Sequence, residues 1–188
     1  MKKLCLLLFL LGSFWASQAQ ESEPTTLLRI ILEKYYKNEK PVVKNRSQLL
    51  YLYCTQANNT GELIEATQKT SLPKDFVQEI RNKINTDLAE RFWTSELDAI
   101  FANDPAKIKS KVKECVSLDQ YQEISKRLNL NNQRLLIVGK PLIYSKGNLA
   151  LVKVVFYRNI EHNSSTVLLF EKIDGVWTVK QNLNSWST

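Results

Sequence analysis

The chain has 188 residues, 44% of them apolar, and a formal charge of +7 from 26 Lys and Arg against 19 Asp and Glu. That length and apolar content allow one domain with a sizeable core, and charges making up 24% of the residues with both signs interspersed exclude a disordered polyelectrolyte. The only glycines are Gly12, Gly61, Gly139, Gly147 and Gly175, so no cluster exists to let a backbone cradle phosphates, which excludes P-loop and dinucleotide-fold enzymes.

Met1 to Ala19 reads as a signal peptide. Lys2 and Lys3 form a positive start, Leu4 to Trp15 a short apolar run, and Ser17-Gln18-Ala19 a small-residue site for cleavage before Gln20. The apolar run is shorter than the ~20 residues a spanning helix needs. Cys5 lies inside it with no small-residue lipobox ahead, so lipid anchoring is not expected. Loss of Lys2 and Lys3 leaves 24 basic residues against 19 acidic ones. This basic excess favours anionic surfaces such as an envelope polysaccharide, lipid headgroups or an acidic partner, and is also ordinary for a soluble protein.

Residues 21–37 predict a first helix, with Pro24 in its first turn and Leu28, Ile31, Leu32 and Tyr35 on one stripe. Ser47 to Gln56 is apolar on nearly every side, and periodicity alone leaves buried helix and buried strand open. Asn58 to Gly61 reads as a turn. Pro73 to Phe101 predicts one long helix, because Phe76, Ile80, Ile84, Leu88 and Phe92 step by four. Asp104 and Pro105 then start another helix, with Ile108, Val112 and Cys115 on one face and Lys107, Lys109, Lys111 and Lys113 around it. Ser117 and Gln120 form a capping box for a short helix through Leu118, Tyr121 and Ile124. The last fifty residues read as an antiparallel meander of four strands. Asp174-Gly175 suits a two-residue turn that pairs Ile173 with Val176 and puts Leu168, Phe170, Trp177 and Val179 on one face.

The expected fold is therefore α+β, with N-terminal helices packed on a C-terminal four-stranded antiparallel sheet. The expected organisation is a signal peptide over 1–19 and a single domain over 20–188, helical over about 24–128 and a β-meander over about 134–187. Like the leader's apolar run, no other stretch reaches spanning length, so the processed protein is expected in the periplasm or outside the cell.

Few residues carry recognisable chemistry. Cys54 and Cys115 are the cysteines left after processing, and an oxidising compartment favours a disulfide between them over two buried thiols. Arg158, Glu161 and His162 fall within five residues at a strand end and form a candidate ligand-binding or acid/base group, weighed against a solvated hairpin loop. A single His argues against zinc and against an activated cysteine nucleophile, and no HExxH, GxSxG or CxxC motif occurs, so no catalytic residue, metal or cofactor is assigned. Tyr51, Tyr53, Phe92, Trp93, Trp177 and Trp186 read first as core aromatics and second as walls of a groove. The lysine row lacks interleaved aromatics for base stacking, so no nucleic-acid partner is expected. Asn-x-Ser/Thr triplets begin at Asn45, Asn58 and Asn163, and the leader and composition read as bacterial, so they are taken as chance.

The run GKPLIYSKGNLALVKVVFYRNIEHN and the later LLFEKIDGVWTVKQNLNSW resemble a group of small exported proteins of Gram-negative bacteria with no assigned activity. The matching positions are Lys140-Pro141, Arg158 to Asn163, Lys172 with Gly175 and Trp177, and Trp186-Ser187, about a third of the processed chain. The resemblance implies fold and location and transfers no catalytic residue. The order of helices and then a meander is also loosely similar to the nuclear transport factor 2-like superfamily, whose members hold ligands or partners in a cone between helices and sheet. These features lead to an exported envelope protein that binds a partner protein or an anionic envelope polymer without catalysis. The alternatives are a small-ligand or catalytic pocket between helices and sheet, and an inhibitor or immunity-type protein.

Overall fold

The structure is a computed structural model that describes residues 21–37, 49–57, 60–68, 71–87, 89–103, 108, 112–128, 133–159 and 161–188. The leader, Leu88, Asn45, Asn58, Asp104, Pro105 and three of the four row lysines (Lys107, Lys109 and Lys111) lie outside those residues. The described elements are α1 (Glu23–Lys37), β1 (Leu49–Tyr53), α2 (Thr60–Gln68), α3 (Lys74–Thr86), α4 (Thr94–Asn103) and β2 (Val112–Val116). They continue as α5 (Leu118–Leu128), β3 (Gln133–Val138), β4 (Leu142–Ile143), β5 (Leu149–Asn159), β6 (His162–Ile173) and β7 (Val176–Ser187).

The fold is α+β, but the expected layer of helices on a four-stranded antiparallel sheet is not what forms. The strands make one seven-stranded mixed sheet in the order β2-β1-β3-β5-β6-β7, with β4 alongside β5. β1 pairs in parallel with both β2 and β3, and the remaining pairs are antiparallel. The helices cover both faces. Leu27, Leu28, Ile31 and Leu32 of α1, Leu97 and Ile100 of α4, and Trp93 pack on Leu136, Val152, Val154, Leu168 and Phe170. On the other face Leu63 of α2 and Phe76, Ile80 and Ile84 of α3 pack on Leu151, Val167, Leu169 and Leu183. Beside them α5 lays Tyr121 against Tyr51, Val116 and Leu135. Cover on both faces explains why Leu149 to Val154 are all buried without alternation.

Ser47 to Gln56, where the sequence leaves helix and strand open, contributes the strand Leu49–Tyr53. Two expected helices are corrected. The helix expected after Pro105 is instead β2 across Val112–Val116, lying parallel to β1. Pro73 to Phe101 is two helices with a break after Thr86, because an apolar step of four drifts by about 40° per step and carries Phe92 off the buried stripe. Phe92 is 55% exposed, whereas Trp93 is fully buried and donates from Nε1 to the Val138 carbonyl at 3.0 Å. The break is held against the sheet by Trp93 N–H to Cys54 O at 2.8 Å and Gln56 N–H to Arg91 O at 2.8 Å. Thr60, read as part of a turn, opens α2.

Other expectations stand. Ile173 pairs with Val176 across Asp174 (φ 50°) and Gly175 (φ 82°), the left-handed pair that the two-residue turn requires. Leu168, Phe170 and Trp177 are buried together with Val179 packed against them. Ser117 N–H donates to Gln120 Oε1 at 2.8 Å while Gln120 N–H donates to Ser117 Oγ at 3.2 Å, a reciprocal capping box. Cys54 and Cys115 are disulfide-bonded, with Cα atoms 4.9 Å apart, and the bond ties the end of β1 to β2. Among the described residues no helix is long and apolar enough to cross a membrane.

Candidate functional site

α5 connects β2 to β3, the two strands that flank β1, and so crosses over β1 on one face of the sheet. Its capping box fixes the entry of the helix, and Lys126 and Arg127 in the last turn complement the helix dipole. Tyr121 is the anchor. It is 1% exposed, and its ring meets Tyr51 at 6.0 Å and Tyr157 at 6.1 Å, both edge-on. Tyr121, Gln122, Ser125 and Lys126 then share one side of the helix, at spacings of one, four and five, and form one wall of a cleft.

The other wall comes from the end of β5 and the turn into β6. The register of β5 against β6 shifts between Tyr157 and Asn159, a bulge that turns Arg158 onto the same side as its neighbours. Tyr157, Arg158, Asn159 and Glu161 face the α5 wall across a volume of about 530 Å³. That volume falls in the range of small-ligand sites, roughly 300–1,000 Å³. Two cations, Lys126 and Arg158, stand against one carboxylate, Glu161. Burial pushes the Tyr121 hydroxyl up to about 12, with the Arg134 and Arg158 charges pulling against that rise. Burial first and the Glu114 carboxylate second also raise Tyr51. Both phenols therefore stay protonated at neutral pH and keep an O–H available to donate.

The structure brings Arg158 and Glu161 together in this cleft and leaves His162 out of its walls. His162 is exposed, and its Nδ1 lies 3.1 Å from Asn159 Oδ1. The same Asn159 oxygen accepts the Glu161 N–H at 3.1 Å and the His162 N–H at 2.8 Å, so Asn159 closes the turn. Sequence reasoning missed the whole α5 wall and Tyr157. The available signal was the cluster of Tyr121, Gln122, Ser125 and Lys126 on one side of a helix that the capping box had already located.

The aromatics sort as expected for core residues in part. Trp93 and Trp177 are buried, whereas Trp186 is 40% exposed and borders a shallow 300 Å³ groove with Phe156, Ser164 and Thr166. Elsewhere Asp75 accepts from Lys146 Nζ at 2.6 Å, from the Tyr144 hydroxyl and from the Phe76 N–H at 3.0 Å, and these bonds hold its carboxyl far below the ordinary range. Ser145 donates to Glu79 through N–H at 2.8 Å and Oγ at 2.6 Å. Both sets fasten the β4–β5 turn to α3. Among the described residues no group of three or more His, Cys, Asp or Glu could hold a metal ion. No family model, no curated protein and no solved structure matches the chain.

Proposed function

We propose that the chain is an exported, non-enzymatic binding protein that holds an anionic envelope polymer or partner protein in the cleft between α5 and the β5–β6 turn. The observation that carries this reading is the cleft itself, where Lys126 and Arg158 flank aromatic and amide side chains in one 530 Å³ space. Such a combination binds through charge and oriented hydrogen bonds. His162 sits outside with its ring on Asn159, which favours binding over acid/base turnover. The leader, the Cys54–Cys115 bond and the resemblance to small exported proteins support location in the envelope.

The test is a pull-down with purified protein from an envelope extract at low salt and at 1 M salt, where exposed charges are screened within about 3 Å. A single partner retained by the parent and lost by the Lys126→Ala/Arg158→Ala double variant supports the cleft. Equal retention by that variant, or recovery only at low salt without stoichiometry, would overturn it.

A further inference from the structure

The inner wall of the cleft contains a donor with nothing to donate to. The Tyr121 hydroxyl is buried and has no hydrogen-bond partner among the described residues, although Tyr121 lines the cleft. An unpaired buried hydroxyl is a standing cost that folding alone gives no reason to keep. A second such group stands on the same face. Gln133 is 1% exposed, and both its Oε1 and Nε2 are buried without partners among the described residues. Leu135 pairs with Tyr157, so Gln133, two residues earlier on β3, lies on the Tyr157 side of the sheet toward the cleft end. Burial outweighs every other influence on the Tyr121 hydroxyl and keeps it protonated as a donor, while the Arg134 and Arg158 charges act on it in the opposite sense, so two cations lie near the hydroxyl.

Resting on the binding reading above, we infer that the cleft takes an acidic saccharide, with a sugar carboxylate or phosphate oxygen accepting a hydrogen bond from Tyr121 beside Arg158. The rest of the wall suits a polyhydroxylated ring. Gln122, Ser125 and Asn159 offer amide and hydroxyl groups that both donate and accept, and Glu161 accepts from sugar hydroxyls. Tyr157 supplies an aromatic surface beside them. A peptide carboxylate would use the cations and leave these groups without matching hydroxyls. The hydroxyl of Tyr121 is covered, so entry requires a wall side chain to rotate, a change that commonly accompanies binding. Gln122 and Lys126 are exposed and long enough to do so.

Calorimetric titration of the purified protein tests this with trigalacturonate, maltotriose, tetraglutamate and inorganic phosphate as probes. Trigalacturonate is expected to bind at least tenfold tighter than maltotriose or tetraglutamate. Weaker phosphate binding displaced by trigalacturonate is expected if the oxyanion alone is recognised at Tyr121. Tyr121→Phe is expected to lose about tenfold or more for trigalacturonate, the usual effect of removing a hydrogen bond to a charged group. Its melting temperature should match or exceed that of the parent, which separates lost binding from lost fold. Parent-like affinity in Tyr121→Phe, or tetraglutamate binding as tightly as trigalacturonate, overturns the inference. If that happens while the Lys126→Ala/Arg158→Ala variant still loses its envelope partner, the cleft reading stands and only the saccharide assignment fails. If no acidic probe binds and the double variant keeps its partner, both fail.

Discussion

Lys153 sits in the middle of β5 with its side chain only 7% exposed, and its Nζ lies 2.9 Å from Glu62 Oε1 of α2. Ser165 Oγ donates to the other carboxylate oxygen at 2.8 Å, and Trp186 adds a further side-chain hydrogen bond. A buried charge left without its partner typically costs 3–5 kcal/mol. Glu62 is 22% exposed, so water can reach one side of the pair, and Glu62→Ala is expected at the low end, about 3 kcal/mol. The opposite change is expected to be mild. Lys153→Met keeps the length of the side chain, and Glu62 retains Ser165, Trp186 and water, so the loss should be about 1 kcal/mol or less. The double variant should then be more stable than Glu62→Ala alone. Urea unfolding at neutral pH, followed by tryptophan fluorescence with the m-value checked for constancy, measures all three. A loss below about 1 kcal/mol in Glu62→Ala, or a double variant no better than it, refutes the account of a charge dependent on its partner. The pH dependence supplies a sign. Burial raises the Glu62 carboxyl, but its bonds from Lys153 and Ser165 outweigh that and leave it below its ordinary value near 4.5. A depressed folded value means that the stabilisation is complete above pH 4.5 and is lost as pH falls through the folded value. Lys153→Met should flatten that acid limb.

Reduction of the Cys54–Cys115 bond, which spans 61 residues, is expected to lower stability by about 4 kcal/mol in the chain-entropy model, read as the urea midpoint with and without reductant. A change under about 1 kcal/mol would show that the reduced chain already holds β1 near β2 when unfolded. Gly139→Ala would place a Cβ 2.9 Å from the Ala57 carbonyl oxygen and 3.3 Å from that of Lys153, both backbone atoms. The expected loss is about 1–3 kcal/mol in thermal or urea unfolding, and a neutral result would mean that the strand crossing at Ala57 relaxes freely. Tyr121→Phe removes a buried hydroxyl that has no partner among the described residues, and the unliganded protein should become more stable by roughly 1 kcal/mol. A destabilised Tyr121→Phe would place an ordered water on that hydroxyl instead.

The antiparallel half of the sheet was legible because its signals are local. Asp174-Gly175 names its own turn, and the alternation around it sets which of Leu168, Phe170 and Trp177 face inward. The capping box at Ser117 and Gln120 is local in the same way, as is the Leu28, Ile31, Leu32 stripe of α1. The parallel half was not legible, because β1 is covered on both faces and shows no alternation to separate strand from helix. β2 was hidden for a different reason. Val112 and Cys115 suit a helical face as well as a strand, and their true partner is β1, some sixty residues earlier. The candidate site shows the same division. Arg158 and Glu161 were visible as neighbours in the sequence, but Tyr121 and Lys126 reach them only through the placement of α5 across β1.

The pairing of β1 has a consequence for the order of assembly. β5, β6 and β7 join neighbours across short turns, so their closure can begin early and locally. β1 must wait for strands that lie roughly sixty and eighty residues downstream before either of its edges is satisfied. A chain that emerges from its N-terminus presents Leu49 to Tyr53 before any other described strand and leaves them unpaired until about sixty more residues have followed. During that interval the segment is an apolar strand with two open edges, the kind that associates with other chains. Hydrogen-exchange pulse labelling during refolding should therefore protect Leu149 to Ile173 before Leu50 to Tyr53, and the yield of folded protein should depend on how long that gap lasts.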